Sequence, residues 1–178
     1  MLLMHFAGIA FTLGLLWLMW SVRGKLSSHG FEYVHWVPAS RRSMVQAVAA
    51  GAGAGILVAW LFGGYDKSAS PMFTDVWMAI TLGPLAEELI FRGYLFWVIG
   101  SLLARLKVRS GAATAFGVAV LFALAHASKS GITEPQLIAI FGTGLLYGWL
   151  RLDSGSTVPP VIAHILFNAV IYLAAVFV

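Results

Sequence analysis

The sequence predicts an all-α membrane protein, a polytopic bundle of six to seven helices around an intramembrane cavity. Of the 178 residues, 60% are hydrophobic and 10% are charged, whereas a soluble domain carries about 25% charged residues. The apolar residues fall into runs of about 20, the length that a helix needs to cross a bilayer. Three clusters of polar side chains lie inside these runs, where hydrocarbon makes them costly unless they have a task. The length leaves room for a single membrane domain, residues 1–178.

Two N-terminal spans are predicted within residues 1–72. The first apolar run, about 2–21, has no basic residue before it and no small-residue cleavage pattern after it. Because a signal peptide shows both features, we expect this run to stay in the protein as a span. The second run, about 43–64, carries three glycines at alternate positions. Glycine lets a neighbouring helix approach closely, so we expect this run to pack against another helix.

The remaining residues, 73–178, are predicted to form the core that carries the polar clusters. Residues 73–104 are one apolar stretch that Pro84 and the first cluster interrupt. A proline inside a helix removes a hydrogen bond, so this stretch predicts either one kinked helix or two short ones. Two prolines near the start of the last run suit a first helical turn. Three further spans are expected at about 111–127, 134–151 and 158–178.

The basic residues predict the orientation in the cell membrane. If residues 73–104 cross the membrane once, eight Lys and Arg residues fall on one side and two on the other. Because basic residues are enriched on the cytoplasmic side, this count places the N-terminus of the multi-pass protein outside. The same topology puts His126 near the outer end of its span and His164 near the inner end of another. The two meet only if the helices shift in depth or the spans are shorter than predicted.

Composition also excludes some classes of function. The pI near 9.7 does not indicate a nucleic-acid partner, because the basic residues lie at the ends of apolar runs rather than in one patch. The chain contains no Cys, which rules out a disulfide and a thiol nucleophile. The candidate chemistry therefore rests on carboxylates, imidazoles and amides.

The first cluster consists of Glu87, Glu88 and Arg92. On a helix, Glu88 and Arg92 are four residues apart and share a face, whereas Glu87 is turned about 100° away. We expect Glu88 and Arg92 to form a buried ion pair that fixes the local geometry. Glu87 then points elsewhere and is the candidate general base. A purely structural ion pair is the alternative explanation for Glu88 and Arg92.

The second and third clusters add two imidazoles and an amide. Phe122 and His126 share one helical face, and His164 and Asn168 share another. A neutral imidazole can hold a water or polarise a carbonyl, and an amide can donate to an oxyanion. Each pair alone has a structural explanation, such as a hydrogen bond that joins two helices. Three such clusters in one small bundle favour a hydrolytic site in an intramembrane catalytic cavity.

The three motifs resemble those of a known family. Glu-Glu-x-x-x-Arg, Phe-x-x-x-His and His-x-x-x-Asn, in this order over about residues 76–172, closely resemble the CPBP family of CAAX-prenyl-protease-2-like and bacteriocin-processing membrane proteins. The resemblance implies a glutamic-type intramembrane endopeptidase that cleaves near the C-terminus of a membrane-associated protein or peptide. The catalytic residues that it implies are Glu87, His126, His164 and Asn168. The supporting residues are Glu88, Arg92 and Phe122.

The resemblance also implies the partners. The substrates of such proteins are prenylated CAAX proteins, bacteriocin or pheromone precursors, or C-terminal sorting tails. We expect a membrane-anchored or membrane-inserted peptide or protein as substrate, the lipid bilayer as surroundings, and no nucleic acid.

The cofactor requirement has two possible answers. Two His and one Glu form a known catalytic zinc ligand set, so zinc held by Glu87, His126 and His164 is the alternative. The chain contains no His-Glu-x-x-His pattern, which removes the usual helix-borne zinc site. If Glu87 were a ligand, another residue would have to act as the base. We therefore predict a metal-independent mechanism in which Glu87 activates water without a cofactor.

Two other functions remain as alternatives to a protease. A non-catalytic membrane immunity or binding protein would use the same cavity to hold a peptide or lipid tail. A transporter or proton relay would use the buried Glu and His, although the two halves of the chain show no repeat of the kind that many transporters carry.

Overall fold

The computed structural model describes residues 35–62, 76–127 and 133–177. Within them 88% of the residues are helical and no strand occurs, so the all-α class is confirmed. The predicted span at about 2–21 lies outside the described residues, and a bundle of six to seven helices is therefore not confirmed. The described residues form five helices: α1 Arg41–Phe62, α2 at 76–105, α3 Gly111–Ala127, α4 Glu134–Ser154 and α5 Val158–Phe177.

The described helices carry apolar side chains outside and polar side chains inside. Trp60 and Ile138 are 78% and 71% exposed, whereas Glu88 and Arg92 are completely buried. Large exposed apolar surfaces are uncommon on soluble proteins, and this arrangement is the one expected of a protein surrounded by lipid. Two described helices are long and apolar enough to cross a membrane: Arg41–Phe62 and Val158–Val176.

Helix α1 packs against α5 through its glycines. A Cβ atom at Gly51 would overlap the backbone of Ala163, and one at Gly55 would lie 2.9 Å from a side chain of α5. At Gly53, between them, a Cβ atom would meet nothing within 4 Å. The predicted close approach of a neighbouring helix is thus confirmed, and it uses two of the three glycines. Since His164 follows Ala163 on α5, this contact helps to set where the imidazole lies.

Helix α2 is one continuous helix rather than two short ones, and it contains two π-helical segments. Such segments are rare and occur frequently at functional sites. Glu87 and Glu88 lie at the end of the α-helical part between them. The parts of α2 are the first π-segment Met78–Leu82, the α-helical Gly83–Glu88, the second π-segment Leu89–Leu95 and the α-helical Phe96–Arg105.

Helix α4 begins and ends with recognisable sequence signals. The Thr133 backbone N–H donates to Oε1 of Gln136 at 2.9 Å, as in a capping box. Gly155 ends the helix with a φ of 64°, a left-handed conformation that glycine adopts without strain. The helix therefore continues to Ser154, beyond the predicted end at 151.

The connection between α4 and α5 is buried. Ser156 and Thr157 are both 0% exposed. The Thr157 backbone N–H donates to the His35 carbonyl at 2.9 Å, and the Ser156 hydroxyl donates to the Val37 carbonyl at 2.7 Å. Helix α5 therefore starts inside the protein rather than at its surface.

The depths predicted for the two histidines are wrong. The Nε2 atoms of His126 and His164 lie 3.7 and 3.9 Å from the same oxygen of Glu87, so the two rings share one level. The counting of spans assumed that each loop lies at a membrane surface, whereas α5 starts from a buried connection. Arg151, counted among the basic residues of a loop end, is only 9% exposed. The orientation of the chain stays a prediction.

Candidate active site

The structure brings Glu87 and the two predicted histidines together. Nε2 of His126 lies 3.7 Å, and Nε2 of His164 lies 3.9 Å, from Oε2 of Glu87. Both separations exceed a direct hydrogen bond and are within the distance that one bridging water spans. The Glu87 side chain is 29% exposed, the most accessible of the three. Helices α2, α3 and α5 thus each contribute one group to a single point.

The Nδ1 atom of each imidazole, which faces away from Glu87, is hydrogen-bonded to an oxygen. Nδ1 of His126 lies 2.9 Å from the Phe122 carbonyl, and Nδ1 of His164 lies 2.9 Å from Oε1 of Glu88. Since a carbonyl and a carboxylate only accept, each Nδ1 carries a proton and donates it. In a neutral ring Nε2 is then an acceptor that faces Glu87. A donor at that position requires a second proton on the ring.

The predicted ion pair between Glu88 and Arg92 is present. Nη1 of Arg92 donates to Oε1 of Glu88 at 3.0 Å, and both side chains are 0% exposed. Nη2 of Arg92 donates to the Gly144 carbonyl of α4 at 3.0 Å. The same Glu88 oxygen therefore accepts from Arg92 and from His164, so the ion pair orients one of the site's imidazoles.

Aromatic rings enclose this network. The Phe122 ring lies 4.6 Å from the His126 ring and 5.9 Å from the His164 ring, and the Arg92 guanidinium lies 4.5 Å from its centre. Tyr147 stacks on His164 at 4.9 Å with an interplanar angle of 25°. Such contacts fix the orientation of the imidazole rings and stabilise the buried guanidinium of Arg92. Phe122 thus lies against both imidazoles, and its supporting role stays a prediction.

Sequence reasoning missed the contribution of α4. Gly144, Tyr147 and Arg151 each contact the network around Arg92. Their spacing of three and four residues puts them on one helical face. That spacing, with an aromatic hydroxyl and a cation in an apolar run, is the signal that would have found them.

The predicted oxyanion donor, Asn168, is bound to the backbone of α2. Its Nδ2 donates to the Ala79 carbonyl at 2.7 Å. The backbone N–H of residue 83 would donate to this carbonyl in an α-helix, and that of residue 84 would do so in a π-helix. Here the Gly83 N–H donates to the Met78 carbonyl instead. Pro84 has no N–H to give. Asn168 therefore replaces the donor that the first π-segment lacks, one turn away from His164.

The predicted zinc ligands lie farther apart than the ligands of a regular tetrahedral zinc site. Zinc ligands at about 2.05 Å in a tetrahedral site lie about 3.3 Å apart, and the two Nε2–Oε2 separations of 3.7 and 3.9 Å are wider. In the part of the chain that the structure describes, no group of three or more His, Cys, Asp or Glu side chains is arranged to hold a metal ion.

A comparison with protein-family models finds a match. The family model described as Type II CAAX prenyl endopeptidase Rce1-like matches residues 69–170. The matched region is more than half of the chain and contains all three polar clusters. No curated protein and no solved structure matches the chain.

Proposed function

Since the chain belongs to the Rce1-like family of type II CAAX prenyl endopeptidases, we propose that it is an intramembrane endopeptidase of the cell membrane. It hydrolyses a peptide bond near the C-terminus of a membrane-associated protein or peptide. The observation that carries this proposal is the convergence of two imidazole nitrogens on Oε2 of Glu87, at 3.7 and 3.9 Å. A general base and two groups that can hold a water meet there, in a protein whose outside is apolar.

The proposed reaction starts with a water held between Glu87, His126 and His164. Glu87 accepts a proton from this water as the oxygen attacks the scissile carbonyl carbon. The tetrahedral intermediate then collapses, the C–N bond breaks, and the proton passes from Glu87 to the leaving nitrogen. General base catalysis of this kind typically contributes about 10²–10⁴-fold to the rate. No metal enters any of these steps.

The firmness with which each ring is held supports His164 as the imidazole at the oxyanion. Its Nδ1 binds the buried carboxylate of Glu88 at 2.9 Å, whereas Nδ1 of His126 binds the Phe122 backbone carbonyl. A hydrogen bond to a carboxylate is stronger than one to a neutral carbonyl, so the His164 ring is the more firmly oriented of the two.

Asn168 completes the proposed site as a second donor. One of its N–H groups is directed to the Ala79 carbonyl, and an amide group has a second one. Its position one turn after His164 supports a role at the same oxyanion.

The test is cleavage by the purified protein in liposomes. The substrate panel contains a farnesylated CAAX peptide, a bacteriocin-type precursor and a membrane-inserted C-terminal tail, since these are the classes that the family resemblance implies. We expect wild type to cleave at least one of them. Glu87→Gln, which keeps the shape but removes the base, should lower the rate at least about 100-fold.

The matched control is Glu134→Gln. Glu134 is an exposed glutamate at the start of α4, and its substitution should leave the rate within about twofold of wild type. Normal turnover by Glu87→Gln would overturn the assignment of the base. Failure of the wild type on all three classes would overturn the proposed function.

A further inference from the structure

Arg151 is a buried cation that the proposed reaction does not use. It is 9% exposed, and its Nε donates to the Arg92 carbonyl at 3.1 Å. Its guanidinium lies 5.5 Å from the centre of the Phe96 ring. Among the described residues no carboxylate pairs with it. A cation buried in an apolar helix without a counter-charge costs stability, so such residues usually have a task.

The acceptor of Arg151 is a backbone carbonyl of the second π-segment. In an α-helix the N–H of Phe96 would donate to the carbonyl of Arg92, four residues earlier. Here it is directed to Phe91 and Gly93. The Phe96 N–H thus bypasses the Arg92 carbonyl, which accepts from Arg151 in a buried hydrogen bond. Arg151 therefore supplies a donor in place of the Phe96 N–H that the π-helical geometry redirects.

Helix α4 consequently holds Arg92 at two points. The Gly144 carbonyl accepts from the Arg92 side chain at 3.0 Å, and two turns later Arg151 donates to the Arg92 backbone. The Arg92 side chain in turn binds Glu88, which orients His164. Every link of this chain is a direct polar contact between 2.9 and 3.1 Å.

We propose that Arg151 is a positioning residue of the peptidase. By fixing the Arg92 backbone in the second π-segment, it holds Glu87 and Glu88 in register with the two imidazoles. The inference rests on the proposed function, and it adds a residue outside the three sequence motifs. The role lies in the donor at Nε, not in the positive charge.

Two substitutions separate the donor from the charge. Gln carries an amide N–H at the same position along the side chain as Nε of Arg, whereas Met places a methyl group there. Because small misplacements of reacting groups cost about 100-fold in rate, we expect Arg151→Met to lower kcat at least about tenfold with KM within about twofold. Arg151→Gln should recover most of the lost kcat. Arg105→Met, at an exposed arginine of α2, should match wild type.

A second measurement does not depend on activity. It is the NMR signal of the Arg92 carbonyl carbon. When Arg is labelled with ¹³C at the carbonyl and Gly with ¹⁵N, signals come from only two Arg–Gly pairs in this chain, Arg23–Gly24 and Arg92–Gly93. The Gly24→Ala variant identifies which signal belongs to Arg92. We expect the Arg92 carbonyl signal to move in Arg151→Met and to stay close to wild type in Arg151→Gln.

These outcomes distinguish the two proposals. An unmoved carbonyl signal in Arg151→Met overturns the inference, and so does a folded Arg151→Met protein with the kcat of wild type. Equal loss of kcat in the Gln and Met variants also overturns it, because the charge would then be responsible. If the wild type cleaves no substrate, the proposed function fails and the carbonyl signal alone decides the inference.

Discussion

Replacing Glu88 should damage the fold, whereas replacing its neighbour Glu87 should abolish the reaction and leave the fold intact. Oε1 of Glu88 accepts from Arg92 at 3.0 Å and from His164 at 2.9 Å, inside a completely buried pair. Glu88→Ala leaves a guanidinium and an imidazole buried without their shared acceptor. Glu87 is 29% exposed, and Arg92 keeps its direct ion pair with Glu88 when Glu87 is replaced.

The expected loss of stability follows from these contacts. Removing one partner of a buried ion pair costs about 3–5 kcal/mol. Arg92 keeps its bond to the Gly144 carbonyl, which holds the cost of breaking the ion pair near the lower end of that range, at about 3 kcal/mol. The lost hydrogen bond to His164 adds about 1 kcal/mol, so the expected total is about 4 kcal/mol. Glu88→Gln keeps an oxygen acceptor and should lose about 2 kcal/mol. Glu87→Ala should lose less than about 1 kcal/mol.

The assay is denaturant unfolding in detergent micelles, followed by helical circular dichroism, with cleavage measured on the same preparations. The predicted order of stability is wild type and Glu87→Ala together, then Glu88→Gln, then Glu88→Ala. Glu134→Ala, at an exposed glutamate, is the control for the loss of a carboxylate. A Glu88→Ala protein as stable as wild type would refute the buried network.

Three further predictions concern packing, the first π-segment and metal. Gly51→Ala should lower the free energy of unfolding by about 1–3 kcal/mol, because the new methyl group overlaps the backbone of α5. The control in the same unfolding assay is Gly53→Ala, because a Cβ atom at Gly53 meets nothing within 4 Å. Pro84→Ala should lower kcat several-fold, because the added N–H can donate to the Ala79 carbonyl and release the Asn168 side chain. Steady-state cleavage measures kcat, and hydrogen exchange of the Asn168 side-chain amide measures the release. Chelation should leave the cleavage rate of the purified protein unchanged, as measured beside its zinc content.

Each of these predictions has a contrary result. Equal stability of the Gly51 and Gly53 variants would contradict the close contact between α1 and α5. Full activity of Pro84→Ala with an unchanged Asn168 amide would show that the Ala79 carbonyl does not hold that side chain. Stoichiometric zinc whose removal abolishes cleavage would replace the glutamate-activated water by a metal mechanism.

The local pairings of the site could be predicted because helix geometry fixes them. A spacing of four residues puts Glu88 beside Arg92 and Phe122 beside His126 wherever the helices lie. The same helix geometry predicted that Glu87 points away from the ion pair, and in the structure Glu87 faces the two imidazoles. Pairings of this kind need no knowledge of tertiary structure.

The relative depths of the helices could not be predicted in this way. Counting spans assumes that every connection lies at a membrane surface, but Ser156 and Thr157 are buried beneath residues 35–37. Local sequence patterns could not predict the two π-segments either. Two carbonyls in these segments accept from Asn168 and Arg151, which come from other helices, and only the assembled protein shows those contacts.

The most direct test of Glu87 as a general base is a single turnover in ¹⁸O-labelled water, analysed by mass spectrometry of both product and enzyme. Attack by a water that Glu87 activates places one labelled oxygen in the new carboxylate of the product and none in the enzyme. We expect that distribution for wild type and no labelled product from Glu87→Gln. Label in the side chain of Glu87 would show a covalent acyl intermediate and contradict the mechanism.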